Sequence, residues 1–76
     1  MLDDALYFLR LEAGLTVLQV AHELRVSTVV VYQWERGASR PRHAHLAALM
    51  RLYRAREDQR DEVAHLAAFD APRGSL

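Results

Sequence analysis

No cysteine occurs in the chain, so neither a disulfide nor a thiolate metal site can brace the fold. Lysine is missing too, and every basic side chain is an arginine. Arginine together with abundant alanine suggests a GC-rich coding sequence, as in bacteria or their phages. No apolar run approaches the ~20 residues that span a bilayer. The opening segment MLDDALYFLR has no basic stretch ahead of an apolar one, so no secretory signal is expected and the cytoplasm is the expected location. Internal repeats are absent. No Ser, Asp or Glu falls into a recognisable catalytic constellation, and 76 residues leave little room for a substrate cleft. Enzyme activity and a cofactor are therefore not expected. The four histidines are His22, His43, His45 and His65. His43 and His45 are two apart, on different sides of a helix, and no HExxH spacing occurs, so no metal site is expected.

Net charge is lacking as well, at zero for the whole chain. Its distribution is uneven. Residues 1–35 and 57–76 each sum to −3, whereas residues 36–56 hold six arginines and no acid. That local block can supply an electrostatic footprint despite the neutral total. Arg51, Arg54 and Arg56 equally suit a solvated helix paired with the acids that follow. Arg36, Arg40 and Arg42, flanking a turn, are the better phosphate candidates. The length is close to the lower limit for an independent core, so one domain over residues 1–70 is predicted, with 71–76 as a flexible tail.

The chain is organised around Leu15 to Gly37, LTVLQVAHELRVSTVVVYQWERG. Thr16 with Gln19 three residues later predicts a capping box, and Leu15 with Val20 the accompanying hydrophobic staple. Val20, Ala21 and Leu24 make one apolar face. A second helix start follows at once, with Ser27 as cap and Val26 and Val31 as staple. Val31 and Trp34 point one way; Thr28, Val29, Tyr32 and Gln33 point the other. Gly37 ends the helix, as a left-handed residue does. Only Arg25 and Val26 separate the two helices, which forces a steep crossing. Ala21 suits a close approach.

Leu2, Leu6, Leu9 and Ala13 predict a first helix from Asp3 to Ala13, capped by Asp3 or Asp4 and stopped by Gly14. Tyr7, Phe8 and Leu11 widen its apolar surface, for the core or for a partner. Leu46, Leu49, Met50 and Tyr53 stripe a fourth helix over 42–53, opened by Pro41. A break near Arg56 is signalled only by Asp58, a cap with Asp61 at the capping-box position. Val63, Leu66 and Ala67 then carry a fifth helix that extends to Phe69.

GLT at 14–16, Ala21, Leu24, VS at 26–27, Val31, WERG at 34–37 and Pro41 occur in the order and spacing of a known family. Over roughly residues 5–54 the chain resembles the lambda-repressor-like, or xenobiotic-response-element type, helix-turn-helix family. The resemblance implies an all-α, five-helix DNA-binding domain with helices 2 and 3 as the helix-turn-helix. It implies a recognition helix over 28–36 that enters the major groove by its N-terminal half. Thr28, Val29, Tyr32 and Gln33 are then the base-facing candidates: Gln33 for an adenine edge, Val29 for a thymine methyl. Phosphate candidates are Thr16, Ser27, Arg36, Arg40 and Arg42, the first two at helix N-termini. The family also implies a structural ion pair between Arg10 and Glu35.

Two positions depart from the family. The place of a DNA-touching Gln at the start of helix 2 is Val17, and the usual Gly between the helices is Arg25. Val29 and Val30 are both expected at the surface. The function expected is a sequence-specific transcriptional regulator, a repressor. It would act as a homodimer joined through helix 5, with Leu66 and Phe69, and would be nucleoid-associated when bound. The alternative is a protein-interaction module, an antitoxin or adaptor, using the valine face of helix 3.

Overall fold

The computed structural model describes residues 1–69, except for the Phe69 side chain. The predicted tail, 71–76, and Asp70 lie outside the described residues. Five helices follow one another: α1 (Leu2–Glu12), α2 (Val17–Leu24), α3 (Thr28–Arg36), α4 (His43–Leu52) and α5 (Glu57–Phe69). The described residues contain no strand, and the fold is all-α. Among them, no helix is long and apolar enough to cross a membrane.

α1 begins at Leu2, one residue before the expected start, and the acids do not cap it. Met1 occupies the cap without a side-chain bond, and Asp3 and Asp4 sit in the first turn, where the helix dipole favours carboxylates. The reason is burial. Leu2 is in the core, and helix is the local geometry that brings Leu2, Leu6 and Leu9 to one side. α2 starts with the complete capping box: the Gln19 amide donates to Thr16 Oγ1 at 3.1 Å, and the Thr16 amide donates to Gln19 Oε1 at 2.8 Å. Arg25 closes α2 in the left-handed region at φ 58°, which costs a non-glycine residue about 1 kcal/mol. That conformation makes the sharp corner into α3.

That corner is repeated after α4. Arg54 adopts φ 52°, and this residue makes the break that separates α4 from α5. The cap of α5 is not Asp58 with Asp61. The Arg56 amide donates instead to Gln59 Oε1 at 2.9 Å, and the Arg56 carbonyl accepts from the Arg60 amide. Asp58 pairs with the Arg56 guanidinium at 3.2 Å on the surface. An amide side chain three residues ahead thus takes the role expected of a carboxylate.

The core is one cluster, fed by every helix. Leu6, Val20, Val31 and Leu49 are its fully enclosed centre. Leu2, Leu9, Trp34, Met50, Tyr53 and Val63 surround them. α3 packs on α1 and α2, α4 on α2, and α5 on α1. Val17 is also buried; it serves the core and does not stand at the surface as a DNA-touching residue would. Val30 is half-buried and packs on the core, so the expectation that it faces solvent fails. Leu24 at the end of α2 and Val26 in the corner are half-buried with it.

Candidate nucleic-acid interface

α3 is held from behind. Val31 and Trp34 are buried at i, i+3, and the Trp34 ring lies 5.3 Å from that of His45 on α4. Below them Arg10 and Glu35 form a bidentate pair across α1 and α3. Arg10 Nε donates to Glu35 Oε2 at 2.7 Å and Nη2 donates to Oε1 at 3.0 Å. Arg10 Nη1 also donates to the Leu15 carbonyl at 2.9 Å, which ties the loop before α2 into the same joint. The two side chains are only 11% and 7% exposed. The carboxylate holds the Arg10 guanidinium charged, its pKa raised by that hydrogen bond. Tyr53, buried against this pair, has its phenol pushed well above the ordinary range, first by burial and then by the Glu35 charge.

The opposite side of α3 is open. Val29 is 59% exposed and Tyr32 48%; Gln33 and Arg36 are exposed and Thr28 half-buried. These residues follow i, i+1, i+4, i+5, i+8 and so share one stripe. The Arg36 guanidinium sits 5.9 Å from the centre of the Tyr32 ring, near enough for a cation–π contact. Glu35 is the one acid on α3, and its carboxylate is turned inward to Arg10. The stripe therefore carries no negative side chain of its own helix.

Both helix starts lie open. Ser27 Oγ accepts from the Val30 amide at 3.2 Å, while the Thr28 and Val29 amides precede the first intrahelical bond. Thr16 and Ser27 are exposed. Arg42 is exposed at the cap of α4. Arg40 behaves differently from the expectation that it meets phosphate. It is half-buried, and its guanidinium donates to the Ala67 carbonyl in the last turn of α5. Carbonyls there lack intrahelical donors and carry the negative end of the helix dipole, so a nearby cation is drawn to them. Nothing in the local sequence around Arg40 signals this, because its partner is 27 residues away. Sequence reasoning also missed Gln59 Nε2 donating to Glu12 Oε1 at 3.1 Å, a surface clasp between α5 and α1.

The sequence pattern of a helix-turn-helix domain matches residues 6–63, from α1 into the middle of α5. The chain belongs to the lambda-repressor-like helix-turn-helix family. No curated protein and no solved structure matches it significantly. This helix-turn-helix domain is thus of a DNA-binding kind, in a family that is typically non-enzymatic.

Proposed function

We propose that this helix-turn-helix domain is a sequence-specific transcriptional repressor that reads the major groove with α3. The observation that supports it most is the division of α3 into two sides. One is clamped by Trp34 and the Arg10–Glu35 pair. The other presents Thr28, Val29, Tyr32 and Gln33 as a rigid, acid-free stripe. Gln33 pairs with an adenine edge and Val29 packs on a thymine methyl. Phosphates are met by Thr16 and Ser27 at the helix starts, and by Arg36 and Arg42. Arg40 can join this set only through the donors left over from its bond to the Ala67 carbonyl.

One recognition helix with a few arginines gives limited affinity, so a homodimer supplies the second half-site. The dimer face is the α1–α5 side. There Leu66, half-buried, shares a shallow groove with Phe8 and Met1, each 61% exposed. The operator is then an inverted repeat with half-sites about 34–36 Å apart.

A mobility shift with random and selected duplexes, at low and high salt, tests this reading. Binding at low salt that weakens steeply as salt rises is the expected result. Replacing Gln33 by Ala should cost about 1–3 kcal/mol on the selected operator and relax one base position. An equal loss on every duplex removes Gln33 from base reading. No binding at low salt, with a protein recovered by α3-dependent pull-down, would favour the interaction-module reading. The exposure of Val29 is the one feature that favours that module. With Val30 packed inward, the valine surface left for it is small.

A further inference from the structure

α4 rests on α2 and α5 rests on α1, so the last two helices diverge and leave a groove of about 660 Å³ between them. Its floor is apolar: Leu46, Ala47 and Met50 from α4, Val63, Ala64 and Ala67 from α5. Arg42 and His43 stand at one end and Arg60 on the α5 wall, all three exposed. No carboxylate lines it. This is selective, because α5 carries four acids, Glu57, Asp58, Asp61 and Glu62, and one arginine. Arg60, Ala64 and Ala67 fall on one helical stripe; Glu57 and Asp61 border it, one turn before Arg60 and Ala64, yet none of the four acids lines the groove.

We propose that the α4–α5 groove docks an acidic amphipathic helix of a partner protein. The alanines let a third backbone approach closely, and α4, at ten residues, is about 15 Å long, matching roughly three turns of a bound helix. Apolar side chains of the partner fill the floor at i, i+3, i+4 and i+7. Its flanking carboxylates meet Arg42 and Arg60 at the rim, and this charge match selects the partner. A nucleic acid suits the rim but not the floor, which offers its phosphates and bases no hydrogen-bond donors.

The test uses the full chain and two synthetic helical peptides of about 15 residues, long enough to hold a helix. Both carry Leu at i, i+3, i+4 and i+7. One has Glu at the flanking positions and the other Lys. Calorimetry and amide chemical shifts read the binding. The Glu peptide is expected to bind saturably, about tenfold or more tighter than the Lys peptide, with shifts centred on Ala47, Ala64 and Ala68. Arg60→Glu, which leaves Arg42 facing a new carboxylate, should remove the preference for the Glu peptide. Ala64→Glu should abolish binding, with circular dichroism reporting an unchanged fold. Equal affinity for the two peptides, or no saturable binding, overturns the proposal. So do shifts centred on Phe8 and Leu66, or the same groove shifts produced by random duplex DNA. Self-association that Ala64→Glu abolishes overturns it in favour of a second copy.

Discussion

At the scale of single residues, Arg10 and Glu35 hold the reading helix at its angle. Both charges are nearly out of water, so each depends on the other for solvation. Glu35→Ala strands the Arg10 guanidinium, and the expected cost is about 3–5 kcal/mol. Urea unfolding of the variant measures it directly. In a domain this small such a loss approaches the whole folding stability. Tyr53 gives a separate, pH-dependent signal. Its folded pKa lies above the ordinary 10.0, so the folded state holds the phenolic proton more tightly than the unfolded chain. Its contribution is therefore constant below about pH 10 and is lost as pH rises beyond that. Alkaline unfolding should show this decline, and Tyr53→Phe should flatten it. The ion pair was legible from the family resemblance. The third bond, from Arg10 to the Leu15 carbonyl, was not, since a backbone acceptor leaves no mark in the sequence.

Among the elements, the two caps of the helix-turn-helix were the most legible starts, while the caps expected for α1 and α5 did not form. The capping box of α2 and the Ser27 cap of α3 are written in adjacent side chains, and both form as read. The breaks are carried by arginines, Arg25 and Arg54, in a conformation that a glycine would normally announce. Tertiary packing imposes them: Val26 and Ala55 must turn inward just beyond each corner. Arg25→Gly should raise stability by up to about 1 kcal/mol in thermal or urea melts. If the Arg25 side chain also touches phosphate, the same variant binds DNA more weakly. Stability and affinity then move in opposite directions, whereas a purely conformational role changes stability alone. Val30 belongs to the same lesson. Spacing places it beside the surface stripe, yet a short helix at a steep crossing buries more of its circumference than one face. Val17 is the opposite case: with Val20, Ala21 and Leu24 it follows i, i+3, i+4, i+7, so period alone puts it on the apolar face.

For the whole molecule, charge is sorted by surface. Arg36 and Arg42 lie on the side of α3 and the loop after it, while Asp4, Glu12 and Glu62 surround the α1–α5 groove. Salt screens both, with opposite consequences. Raising salt should weaken DNA binding through the arginines. It should strengthen self-association across the acidic α1–α5 face, where like charges meet in a two-fold dimer. Sedimentation and mobility shifts over one salt series check both at once. Dimerisation that weakens with salt removes the α1–α5 side as the dimer face.

Helix class, the starts of α2 and α3, and the two-helix corner were determined by the sequence alone, because caps, apolar spacing and a two-residue connection act between near neighbours. The contact of Arg40 with α5, the burial of Val30, and the divergence of α4 from α5 were decided only by the tertiary structure. Each depends on groups far apart in the chain, whose meeting is set by how five short helices share one small core.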